Sequence, residues 1–197
     1  MSHVISSPPA AATTTTSRII GRWMISFAGF PLGGFLAMIL TGPVDSTTSA
    51  LAGGIVTGAV LGLVQAWALR LDRSQLTAWT LATALGLAAG LTLGASIVDF
   101  GTGMGDLAVQ GAVTGAAVGL AQAVVLRSRT GAVALAWPMY LAATYALGWV
   151  ITTAGGIAVE DQFTTFGSFG ALTVTVLTSI LPVLLATRFS VTEKSSS

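Results

Sequence analysis

Six long apolar stretches separated by short polar joints dominate this chain, and their charges sort by side. All eight basic residues lie at one set of ends: Arg18, Arg22, Arg70, Arg73, Arg127, Arg129, Arg188 and Lys194. The opposite joints carry acids alone, Asp45, Asp99, Asp106, Glu160 and Asp161. Only 8% of the 197 residues are charged, against about 25% in soluble domains. That is too little charge to cover a water-soluble surface, and each stretch approaches the ~20 apolar residues that cross a bilayer. The expected fold is therefore all-α and membrane-integral, with six transmembrane helices.

The stretches run from about Trp23 to Leu40, Ser49 to Leu69, Thr77 to Val98, Leu107 to Leu126, Val133 to Ile157 and Phe166 to Thr187. Most joints are short, so consecutive helices should pack as antiparallel neighbours. An excess of Lys and Arg marks the cytoplasmic side, which predicts cytoplasmic N- and C-termini in a cell membrane, specifically a bacterial inner membrane. Residues 1–17, rich in Ser, Thr, Pro and Ala, read as a disordered cytoplasmic tail. Residues 18–189 form the membrane domain, and 190–197 a second short tail. Trp23, Trp67, Trp79 and Trp137 sit near basic ends, as an interfacial aromatic belt requires; Trp149 lies deeper.

An internal repeat underlies this pattern. Leu51–Arg70 and Ala108–Arg127 align without gaps and match at eleven of twenty positions. Gly54, Gly58, Gly62, Gln65, Leu69 and Arg70 correspond to Gly111, Gly115, Gly119, Gln122, Leu126 and Arg127. The odd stretches share a second frame, a Trp followed eleven residues later by a Gly: Trp23/Gly34, Trp79/Gly90 and Trp137/Gly148. The unit is a helical hairpin used three times, at about 18–73, 74–129 and 130–189, and the last copy retains little beyond Gly170 and Arg188. Two crossings per unit give parallel repeats, not inverted ones, which would form either a pseudo-threefold six-helix bundle or a linear row of hairpins. The repeat resembles a type seen in small bacterial membrane proteins. In size and span count alone the chain also resembles the substrate-binding subunits of energy-coupling vitamin transporters.

Glycine at every fourth position smooths a helix face and lets backbones approach. Such runs occur at Gly29/Gly33, Gly54/Gly58/Gly62, Gly86/Gly90/Gly94 and Gly111/Gly115/Gly119. Together with Gly34 and Gly148 these are the expected helix-packing positions. Gln65 and Gln122 fall on the glycine faces, where a buried amide must find a partner. They and the matched Thr57 and Thr114 read either as interhelical glue or as the lining of a polar path. A threonine inside a helix commonly bonds its own backbone one turn back. The loop Asp99–Asp106 reads as a solvated turn, and the loop with Glu160 and Asp161, flanked by Phe163, Phe166 and Phe169, as an outer contact surface. Pro182 should kink the last helix.

The absences narrow the function. No ionisable residue lies clearly inside a stretch, where proton relays and ion-coupled pumps carry theirs. Without cysteine, and with His3 the only histidine, a thiol nucleophile, a histidine-ligated metal and a Ser–His pair are all excluded. No basic stripe suits nucleic acid. No catalytic residue, cofactor or metal is expected. The expected function is non-enzymatic: a structural or accessory subunit in the lipid bilayer, associating with itself or with a larger membrane complex. The alternative is a small-solute or ion permease, or a substrate-binding transporter subunit, with Gln65, Gln122, Thr57 and Thr114 along the path.

Overall fold

The computed structural model describes residues 10–157, 159 and 164–186, and among them the protein is helical with no strand. Five segments are long and apolar enough to cross a membrane: Thr16–Thr41, Thr47–Ala68, Arg73–Ile97, Met104–Ala154 and Ser168–Ala186. The chain is a multi-pass membrane protein. Glu160, Asp161, Phe163, Arg188, Lys194 and residues 1–9 lie outside the described residues.

Among the described residues these segments include α1 (Ala10–Ile25), α2 (Gly29–Thr41), α3 (Thr47–Ala68), α4 (Arg73–Ile97), α5 (Met104–Thr130), α6 (Trp137–Ala154) and α7 (Ser168–Thr178). α1 begins inside the stretch that reads as a tail. α1 and α2 are separated by a 3-10 turn at Ser26–Ala28. Pro31 explains this break: it has no N–H for the Phe27 carbonyl, and its ring crowds that carbonyl. The 51-residue segment folds back on itself between α5 and α6, where Gly131 takes a left-handed φ of 58° and a 3-10 turn leads into Pro138. Proline suits such a helix start, where its missing N–H leaves no bond unmade.

The expected kink at Pro182 takes the form of a break at Ser179, which separates α7 from a final helical stretch reaching Ala186. Pro182 cannot donate to the Thr178 carbonyl four residues back. The Ser179 amide turns to Val176 O at 3.1 Å, which frees the Thr175 carbonyl from its usual helical donor.

Neighbours in sequence are neighbours in space, α2 with α3, α3 with α4, α4 with α5, α5 with α6 and α6 with α7, and α7 returns to α1 and α2. Glycine sets the spacing. A Cβ at Gly54 would lie 2.6 Å from Ala88 Cα, one at Gly58 2.6 Å from Ala84 Cα, and one at Gly62 2.8 Å from Thr80 Cα. Gly86, Gly90 and Gly94 approach Val118, Thr114 and Gln110 of α5 in the same way, and Gly111, Gly115 and Gly119 approach Tyr145, Leu141 and Pro138 of α6. Gly29 meets Leu61 and Gly33 meets Thr57; 57 positions later, Gly86 meets Val118 and Gly90 meets Thr114. The pairs Gly54/Ala88 and Gly58/Ala84 recur, again 57 positions on, as Gly111/Tyr145 and Gly115/Leu141.

The interior is thus built of small residues and a few large rings, while large aliphatics face outward. Phe35, Leu120, Val124, Leu135 and Met139 are each more than 60% exposed. In lipid such a distribution costs nothing, because the tails are as apolar as leucine, and close packing supplies the cohesion.

Candidate functional site: a closed tryptophan–amide axis

Trp23, Trp79 and Trp137 are buried inside the bundle, at 1%, 1% and 7% exposure. The belt expected from their closeness to basic ends is therefore corrected: of the four, only Trp67, half exposed, faces outward. The cause is the indole N–H, a donor that needs a partner when buried. The partner lies inward. Trp79 Nε1 donates to Gln65 Oε1 at 3.2 Å. Trp137 Nε1 donates to Gln122 Oε1 at 2.9 Å. Trp23 Nε1 donates to Thr175 O at 3.1 Å and Thr178 Oγ1 at 3.2 Å. Each indole is received by the helix that precedes it around the bundle, α3, α5 and finally α7.

The glutamines are linked to each other as well. Gln122 Nε2 donates to Thr83 Oγ1 at 3.0 Å and approaches Gln65 Oε1 at 3.5 Å, while Thr83 Oγ1 donates to Trp79 O at 2.9 Å. The indole donors orient both amides, since only a carbonyl oxygen can accept from them. Trp23, Trp137, Gln65, Gln122, Tyr145 and Thr178 surround a cavity of about 10 Å³, at the lower limit for one water molecule.

The other half of the interior is filled by a loop. Thr164, Thr165 and Phe166 are buried, so Phe166 belongs to the core and not to the outer contact surface expected of this loop; Phe169 is exposed. A Cβ at Gly53 would lie 2.6 Å from Thr164 Cγ2, and one at Gly34 2.7 Å from Thr165 Cγ2. Gly34 therefore receives a loop, not a helix. The Phe166 ring packs against Tyr145 at 5.0 Å, Trp149 at 5.5 Å and Phe30 at 5.6 Å between centroids, which places the deep Trp149 within an aromatic cluster.

The matched threonines part company. Thr114 Oγ1 donates to Gln110 O of its own helix at 2.7 Å. Thr57 Oγ1 bonds outward, to Gly33 O at 3.2 Å and Thr164 Oγ1 at 2.9 Å. Thr144, Thr152, Thr153, Thr173, Thr175 and Thr178 follow the self-bonding pattern. Gly148 meets side chains, Val174 Cγ2 at 2.9 Å and Phe166 Cδ1 at 3.1 Å, and its carbonyl lies against Gly170. In the loop Asp99–Asp106, Asp99 and Phe100 adopt left-handed φ values of 50° and 57°. Asp106 folds over the loop, so a Cβ at Gly101 would lie 2.6 Å from its Oδ2.

Sequence reasoning singled out the glycines and both amides, and it did not assign the indoles, Thr178 or the buried loop to this axis. The spacing of 14 and 15 residues from Gln65 to Trp79 and from Gln122 to Trp137 was the available signal. At the joints, Asp72 caps α4, accepting from the Gln75 amide at 3.0 Å and the Ser74 hydroxyl at 2.8 Å. These bonds, the Gln75 amide foremost, hold its carboxyl below the ordinary carboxylate value. No protein-family model, curated protein or solved structure matches the chain.

Proposed function

We propose that the chain is a non-enzymatic six-span protein of the cytoplasmic membrane, built from three parallel hairpins with both termini in the cytoplasm, serving as a structural or accessory component. The observation that carries this reading is the tryptophan–amide axis. Its polar groups bond to one another and leave about 10 Å³ between them, where a conducting path needs a continuous lined opening. The 57-residue recurrence of glycine contacts supports the hairpin repeat, and the fold-back at Gly131 supports counting the 51-residue segment as two crossings. The sorted basic residues support the orientation. The glycine grooves are occupied by the chain's own helices, so association with a second copy or a larger complex would use the exposed aliphatic face instead.

Two measurements test this. Liposomes holding the purified protein should pass ions and small neutral solutes no faster than empty ones. Flux that disappears in a Gln65→Leu/Gln122→Leu variant would replace this reading with the permease. Orientation follows from cysteine labelling, because the chain has no cysteine. Thr48→Cys, on an exposed position beside the buried Ser49, should react from outside the cell and Ser74→Cys should not. The reverse pattern would invert the topology.

A further inference from the structure

Two of the three helices that receive an indole at the axis do so with a glutamine, and the third does so with a threonine. The exchange is unequal. The two glutamines reach each other, with Gln122 Nε2 3.5 Å from Gln65 Oε1. Thr178 Oγ1 accepts from Trp23 and donates its own proton to Val174 O at 2.7 Å. Among the described residues no hydrogen bond joins Thr178 to either amide. α7 therefore supplies an acceptor at the axis without the donors that a third amide would bring.

The cavity of about 10 Å³ lies at this unequal junction, bordered by Gln65, Gln122, Tyr145, Val174 and Thr178. Two polar groups on its border have no protein partner. Gln65 Oε1 is taken by Trp79 and Gln122, which turns Nε2 and its two protons away from them. No described residue accepts those protons, and none pairs with the Tyr145 hydroxyl. Both side chains are buried, at 7% and 4% exposure. A buried amide or hydroxyl left without a hydrogen bond is costly, and hydrocarbon around the bundle offers it no partner.

Size and chemistry select one occupant. The space admits a single water-sized molecule, and an ordered internal water needs about two to four polar partners. Gln65 Nε2 can donate to it, the Tyr145 hydroxyl can donate or accept, and Thr178 Oγ1 and Gln122 Oε1 each keep a lone pair. A cation would meet the Gln65 amide protons, and an apolar occupant would leave all of these groups unpaired. We propose that this cavity is a binding site for one trapped water, which stands in for a third amide and ties α7 to the paired glutamines. The proposal rests on the axis being closed, as the proposed function does, and not on the accessory role itself.

The test is a crystal structure of the full chain at a resolution that shows ordered water. One density peak should lie about 2.7–3.2 Å from Gln65 Nε2 and from Tyr145 Oη or Thr178 Oγ1. Thr178→Gln, which supplies the third amide, should expel the water and abolish the peak. Tyr145→Phe removes one partner without touching an indole's acceptor and should at least halve the peak's occupancy. If Thr178→Gln does not fold, Tyr145→Phe decides alone. A peak that persists in Thr178→Gln, or is unchanged in Tyr145→Phe, would overturn the site. An empty cavity, or direct pairing of Gln65 with Tyr145 that closes it, would overturn the water and leave the closed axis standing. A file of waters reaching either face of the bundle would overturn both.

Discussion

The hairpin of α4 and α5 and the hairpin of α6 and α7 solve the same packing problem with different materials. In the first, Gly86, Gly90 and Gly94 bring backbone against backbone, and the axial partner is the Gln122 amide. In the second, Gly148 faces the side chains of Val174 and Phe166, the axial partner is a threonine with a carbonyl freed at a helix break, and a buried loop fills what the helices leave open. What endures between them is that the indole N–H at the axis is received by the preceding helix. The glycine frame is one means of meeting it, and its loss in the last helix is compensated by the Ser179 break and by Phe166.

The largest effect that would sharpen this contrast is at the glycines. Gly58→Ala and Gly115→Ala push a methyl into the Ala84 backbone or the Leu141 carbonyl and should each cost about 3 kcal/mol, the upper range for overpacking. Gly148→Ala, against movable side chains, should cost about 1 kcal/mol. Thermal melting in detergent reads the difference, and equal losses would break the comparison. Next, Gln122→Leu strands the Trp137 indole and should cost about 2 kcal/mol. Thr178→Val leaves Trp23 its Thr175 carbonyl and should cost about 0.5 kcal/mol. Equal shifts in melting would show that the carbonyl does not substitute for an amide.

Smaller still, Thr57→Val removes the bond to the Thr164 loop and should cost about 1 kcal/mol, while Thr114→Val loses only a bond to its own helix and should change little. Protease sensitivity near Thr164 should rise in the first variant alone. The smallest effect is at Asp72, whose carboxyl lies below its ordinary value in the folded protein. Its contribution is complete above the ordinary value and disappears as pH falls through the lowered one. Asp72→Asn, which still caps a helix but cannot ionise, should flatten that acid limb by lowering melting slightly at neutral pH and leaving it unchanged in acid.

Helix positions and glycine contacts were legible because both follow from local rules. Hydropathy alone locates α3 to α6 to within a few residues, and a glycine every fourth residue must lie on one face. The indoles were not legible for a physical reason: a tryptophan near a basic end satisfies the same rule whether its ring faces lipid or the axis. Only the neighbouring helix, with Gln65 or Gln122 at the right height, decides. Thr164 to Phe166 were hidden similarly, since a loop beside acids reads as solvated until the gaps left by Gly34 and Gly53 are known. Pro31 was a signal in plain view, and it marks the break that separates α1 from α2.

The contact between Trp23 and α7 has a consequence for biogenesis. The indole lies 152 residues ahead of the carbonyl that receives it, so no nascent chain can satisfy it before α7 has been made. The first helix must wait in the membrane with its donor exposed while the others insert between it and its mate. Closure therefore waits for α7, and a chain cut short before it would enter the bilayer with its seam permanently open.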